Sequence, residues 1–157
     1  MVTARSPERA TLRLPAFVPF RLNRLASAVS EHLAASYRKR FALEVPEWRV
    51  IATVGQERGC TAQFIAASTR MHKTRVSRAI AQLRARGLIE RAASSTDRRE
   101  MQLRLSAAGR RMYAQLVPLA LAREEELLIC MSAGERRAFL AALEQLEAHL
   151  GLTGAAP

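Results

Sequence analysis

Apolar residues recur every three or four positions over most of this chain and alternate with polar ones over only one short region. The first helical pattern starts near Phe17 to Pro19 and runs to about Phe41, with Leu22, Leu25, Val29, Leu33 and Tyr37 on one stripe. Arg38, Lys39 and Arg40 close it with positive charge, favourable at the negative end of a helix dipole. Pro46 suits the first position of a second helix to about Gly55, which buries Trp48, Ile51, Ala52 and Val54. Gly55 and Gly59 then bracket a short turn, and Thr61 caps a short third helix that points Phe64 and Ile65 inward. After a break at residues 68–71 a fourth helix begins. At 100° per residue, Val76, Ile80 and Leu83 fall on one face, and Thr74, Arg75, Arg78 and Gln82 fall on the opposite one. Gly87 ends it, because the left-handed residue after a helix is easiest for glycine.

Leu88 to Arg91 reads as a strand, Ala92 to Arg99 as a hairpin tip, and Met101, Leu103 and Leu105, alternating with Gln102 and Arg104, as a half-buried second strand. Ser106 caps a fifth helix from Ala107 to about Cys130, whose apolar side is Met112, Leu116, Leu119, Ala120 and Leu127. Pro118 sits within that pattern and is expected to kink it, since proline lacks an N–H and crowds the preceding turn. Ser132 and Glu135 form a capping box for a sixth helix with a seam of Phe139, Leu143, Leu146 and Leu150. The fold class is therefore mainly α with a small β-hairpin. The outer helices carry stripes that need another surface. Leu22, Leu25, Phe139, Leu143, Leu146 and Leu150 are the candidates for pairing two copies, although packing within one copy would use the same residues.

Charge sharpens this picture. The chain has 157 residues, 49% of them hydrophobic, enough for one domain with a real core, and a formal net charge of +11. The charge is segregated. From Arg70 to Arg104 ten Lys or Arg face three carboxylates, whereas from Leu119 to Leu150 three Arg face six Glu. A basic patch over the fourth helix and hairpin points to a polyanion. Cys60 and Cys130 form no CxxC and no disulfide framework, which suits a reducing cytoplasm. No apolar run reaches the roughly 18 residues a membrane span needs, and no secretory signal is evident. No nucleophile–base–acid set, phosphate-cradling glycine loop or metal-ligand spacing is present, so an enzyme, a cofactor and a metal site are not expected; His32, His72 and His149 are scattered.

The hairpin carries Asp97, Arg99, Leu105 and Ser106 in the spacing Asp-x-Arg-x5-Leu-Ser. Upstream runs Lys73-Thr-Arg-Val-Ser-Arg78, followed by Leu83 and by Arg86-Gly-Leu-Ile89; downstream come LSAAG at the fifth helix, its central proline, and MSAGE at the sixth. Together these resemble the MarR family of bacterial transcription regulators, over about residues 17–150. The one departure is Ser106 for the family's threonine, and either hydroxyl can cap a helix. The resemblance implies a winged helix-turn-helix with N- and C-terminal dimerisation helices. The expected divisions are a flexible arm at 1–16, a dimerisation helix at 17–45, a DNA-binding domain at 46–105, dimerisation helices at 106–152 and a tail at 153–157. It also implies a cytoplasmic homodimer on double-stranded DNA at a pseudo-palindromic site, acting by default as a repressor.

Reading a duplex needs side chains that reach base edges from a helix in the major groove. Thr74, Arg75 and Arg78 lie on the outward face for that purpose, flanked by Ser77. Thr61, Lys73, Ser94, Ser95 and Thr96 are candidates for phosphate contact, which orients without reading. Arg98 or Arg99 would enter the minor groove from the tip; the resemblance suggests that Arg99 pairs with Asp97 or contacts backbone, leaving Arg98 the freer. Similar proteins bind aromatic acids or related CoA thioesters. Here such an effector would meet His32, Trp48 and Tyr113, with Arg21 or Arg24 for its carboxylate, though each of these also suits a core-edge or surface role. Two alternatives remain open: an architectural protein that coats DNA, and a redox regulator in which Arg58 and the following helix lower the pKa of Cys60.

Overall fold

The computed structural model describes residues 11–93 and 101–152. A single turn of 3-10 helix at Leu14–Ala16 leads into α1, Val18–Phe41, whose entry is preset by Pro19. α1 ends at Ala42, a left-handed residue whose N–H donates to the Arg38 carbonyl. α2, Val45–Gln56, starts with a capping box: the Glu44 side chain accepts from the backbone of Glu47, and the buried Glu47 carboxylate accepts the Glu44 N–H at 2.7 Å. α3, Ala62–Thr69, is capped by Thr61, whose Oγ1 accepts the Phe64 N–H at 3.0 Å. α4, Lys73–Ala85, is capped by His72, whose Nδ1 accepts the Thr74 N–H, and it is followed by Gly87 at φ +67°. Strands β1, Ile89–Ala93, and β2, Met101–Leu105, pair antiparallel with Ile89 opposite Leu105 and Arg91 opposite Leu103. α5, Ala107–Leu128, and α6, Ala133–His149, complete the chain, capped by Ser106 and by the Ser132–Glu135 box.

The core sits in the middle of this order. Leu43, Val50, Ile51, Val54, Ile65, Val76, Leu83 and Leu116 are almost fully buried, and α4 packs chiefly on α2, α3 and β1. Burying a side chain of this size contributes about 1.5–3 kcal/mol, so this cluster dominates the fold's stability. The outer helices are different. α1 buries only Ala34 and Tyr37, the latter stacked on Trp48 with ring centroids 5.5 Å apart, and α6 buries no residue. Leu22 is 43% exposed, Leu25 50%, Leu146 44% and Leu150 66%, while Phe139 and Leu143 are half-buried.

One local expectation is corrected. Gly55 does not open a turn: α2 continues through it to Gln56, and the turn falls to Arg58 and Gly59, both at positive φ. A side chain at Gly55 would meet Tyr113 of α5, so glycine is there for close approach rather than for termination. Pro118 lies within α5, with helix on both sides of it from Ala107 to Leu128. One feature had no counterpart in the pattern. Cys60 pairs with Leu103 through two backbone hydrogen bonds of 2.8 and 3.1 Å, adding a single bridge to the hairpin.

Candidate nucleic-acid interface

Val76, Ala79, Ile80 and Leu83 press α4 into the core, which turns its other face outward. On that face Lys73, Thr74, Arg75, Ser77, Arg78 and Gln82 are all exposed. α4 carries four cations and no carboxylate. Among the described residues the ion pairs lie elsewhere: Arg38 with Glu31 and Glu44, Arg123 with Glu126, and Arg136 with Glu125. Among the described residues no carboxylate is paired with Lys73, Arg75 or Arg78. Thr61 uses its oxygen as a cap, which leaves the hydroxyl proton for another acceptor. Ser94, Ser95, Thr96, Asp97, Arg98 and Arg99, the expected tip contacts, lie outside the described residues.

Between α4 and the hairpin runs a groove of about 360 Å3, lined by Ala62, Ser77, Ile80, Ala81, Arg84, Arg91 and Leu103. Arg84 and Arg91 were not singled out from sequence. Arg84 is seven residues beyond Ser77, two helical turns along the same face, and that spacing was a usable signal. The position of Arg91 beside it depends on how the strand packs on α4.

The expected effector residues do not all line one described groove. Arg21 and Arg24 line an open groove of about 660 Å3 with Val18, Leu22 and Leu25, all from α1. His32 is exposed further along α1, Trp48 packs on Tyr37, and Tyr113 lies against Gly55; none of the three is in the described lining of that groove. Sequence reading passed over the Tyr37 hydroxyl, which is buried with no hydrogen-bond partner among the described residues and is pushed up to about 12 by desolvation. Near the same face, Arg49 Nη2 donates to Ser30 Oγ at 3.2 Å.

The redox reading of Cys60 is corrected. Its thiol is buried and pushed up to about 11, by desolvation first and by the Glu57 charge second, the reverse of what a thiolate sensor needs. Among the described residues no group of three or more His, Cys, Asp or Glu is placed to hold a metal ion, and no helix is long and apolar enough to cross a membrane.

A helix with an exposed basic face, seated on a three-helix core beside a two-stranded hairpin, defines a winged helix-turn-helix of the DNA-binding class. A model of the MarR family matches residues 43–100. No curated protein matches. Among solved structures, a MarR/EmrR family transcriptional regulator from Acinetobacter sp. ADP1 superposes with a TM-score of 0.80 at 24% identity, over 89% of this chain and 99% of that one. Bordetella bronchiseptica BpsR, solved for its regulation by 6-hydroxynicotinic acid, gives 0.75 at 19% over 88% and 98%. CouR from Rhodococcus jostii RHA1, bound to p-coumaroyl-CoA, gives 0.75 at 18% over 87% and 95%. These likenesses concern the fold, while the family match falls on the winged helix itself. The similarity to the MarR family of transcriptional regulators is thus carried by residues 43–100, the winged helix-turn-helix segment.

Proposed function

We propose that this protein is a homodimeric repressor that binds a pseudo-palindromic operator and is released by a small aromatic acid or a related CoA thioester. The observation that carries the DNA reading is the face of α4: Lys73, Thr74, Arg75 and Arg78 exposed, with no carboxylate among the described residues paired to their charges, on a helix anchored by Val76, Ile80 and Leu83. Arg75 and Arg78 read base edges, Thr74 and Ser77 support them, and Thr61, Lys73, Arg84 and Arg91 meet phosphates. The tip residues Ser95 to Arg99 reach the adjacent minor groove. Residues 46–105 form the reading unit. Residues 17–45 and 106–152 pair two copies through Leu22, Leu25, Phe139, Leu143, Leu146 and Leu150. The exposed leucines on α1 and α6 support this, since an uncovered apolar stripe of that length is unusual for a lone chain. A two-fold dimer places its α4 helices about 34 Å apart, one turn of DNA.

The effector class rests on what BpsR and CouR bind, together with the arginines on α1 that suit an acid. The test is a gel shift on DNA flanking the protein's own gene, repeated with a panel of aromatic acids and their CoA thioesters. A discrete shifted band that one of the compounds dissolves is the expected result. Coating of any duplex without preference would instead make the protein architectural, and a shift unaffected by the whole panel would remove the effector class.

A further inference from the structure

We propose that Arg86 is a positioning residue, a two-pronged clamp that locks the end of the reading helix α4 to the end of the pairing helix α1. This rests on the DNA-binding reading above and adds what sets the angle of the reading helix. The Arg86 guanidinium donates from Nη2 to the Phe41 carbonyl at 2.6 Å and from Nη1 to the Ala42 carbonyl at 2.8 Å. Both acceptors belong to the C-terminal end of α1, where a helix leaves carbonyls without intrahelical partners and gathers partial negative charge. A cation with two donors in a rigid fork answers both needs at once, and lysine, a single point charge, cannot.

The rest of this corner is built to hold Arg86 in place. Arg86 caps α4, with its own N–H donating to the Gln82 carbonyl. Gly87 turns the chain at positive φ, and Leu88 N–H returns to the Leu83 carbonyl. The next two carbonyls are taken by α5's cap: Ser106 Oγ donates to Gly87 O at 2.6 Å, and Ser106 N–H to Leu88 O at 3.1 Å. The cap of α4 is therefore tied to the end of α1 through Arg86, and the two residues that follow it to the start of α5 through Ser106. α1 and α5 pack on one another, so the two ties anchor α4 to one body. On the acceptor side Ala42 sits in the left-handed conformation, φ 49°, an uncommon place for a residue with a Cβ, which turns its carbonyl toward the guanidinium.

Contact with DNA is a poor account of the same arginine. Arg86 lies twelve residues beyond Thr74, roughly 18 Å along the helix axis and at the opposite end from the face that reads bases. With its guanidinium engaged by two carbonyls it is committed to the protein. Its effect on DNA binding would come through geometry: two α4 helices in a dimer must keep one spacing and tilt to occupy both half-sites, whereas one half-site makes no such demand.

The experiment compares wild type with Arg86→Ala and Arg86→Lys. The duplex is selected by the wild-type protein from a random-sequence pool and is tested whole and cut to one half-site. The expected result for Arg86→Ala is about a tenfold loss on the whole site, about twofold or less on the half-site, and an unchanged salt slope. Arg86→Lys falls between. Without DNA, hydrogen exchange at the Ala42 amide should quicken in Arg86→Ala while the far-ultraviolet spectrum and the oligomeric state stay as in wild type. An equal loss on both duplexes with the slope reduced by about one would make Arg86 a phosphate contact and overturn the proposal. Unchanged exchange and unchanged affinity would overturn it as well, as would a Lys variant indistinguishable from wild type. If the wild-type protein selects no duplex, the DNA-binding reading fails by itself, and the exchange measurement still decides whether Arg86 holds α1.

Discussion

Gly109 of α5 lies against the carbonyl of Leu88 so closely that a Cβ on Gly109 would stand 2.0 Å from that oxygen. The obstacle is backbone, and the Leu88 oxygen is already held by the Ser106 N–H, so it has no freedom to retreat. Gly109→Ala is expected to cost about 3 kcal/mol, the upper end for overpacking, and to lower the denaturant midpoint accordingly. Gly134→Ala is the control. It is also a helical glycine near a capped N-terminus, but nothing lies within 4 Å of its added Cβ, and a gain of about 0.5 kcal/mol from helix propensity is expected. Equal effects at the two positions would show that the contact at Gly109 relaxes freely.

Gly55 poses a softer version of the same problem. Its Cβ would lie 2.8–2.9 Å from three ring carbons of Tyr113, a side chain that can move. Gly55→Ala should destabilise by about 1–2 kcal/mol in the wild-type background. In a Tyr113→Ala background the same substitution should become neutral or stabilising, because only the helix-propensity gain remains. Additive effects in the double-mutant cycle would separate the two residues.

Arg78→Ala should weaken binding to a selected operator by about 1–3 kcal/mol and change binding to random duplex much less. Titrations on both duplexes at one salt concentration make the comparison. A loss of the same size on both would reassign Arg78 to a phosphate.

Leu25→Glu and Leu146→Glu are each placed on a residue about half exposed in the single chain, so the chain should fold while pairing fails. Sedimentation should then show a monomer with a wild-type far-ultraviolet spectrum, and operator affinity should fall with it. A variant that stays dimeric would move the interface away from that leucine.

The two thiols should behave differently. Cys130 is exposed and should react with a thiol reagent in the native protein, whereas Cys60 should wait for unfolding. Because the Cys60 thiol is pushed up to about 11 in the fold, the unfolded chain gives up this proton first as pH rises. Stability present below the ordinary thiol value, about 8.5, is therefore lost as pH climbs through 11. Cys60→Ala should flatten that part of the alkaline decline, leaving the part due to Tyr37, whose phenol is pushed up to about 12. Fast labelling of both thiols at neutral pH would contradict the burial of Cys60.

What could be read along the chain was what neighbours in sequence decide. The caps at Thr61, Ser106 and Ser132 join residues three apart, Gly87 supplies a local backbone conformation, and the inward and outward faces of α4 follow from helical period alone. Such features depend on bonds that close within one turn, so composition and spacing express them. The rest depends on which surfaces meet once distant segments pack. That Gly55 faces Tyr113, that the Cys60 backbone pairs with Leu103, and that Arg86 reaches the carbonyls of Phe41 and Ala42 all join residues more than forty apart. No local preference encodes those encounters. A glycine reads as a turn, a cysteine as a thiol and an arginine as surface charge until the core around Val50, Ile65 and Leu83 brings their partners beside them.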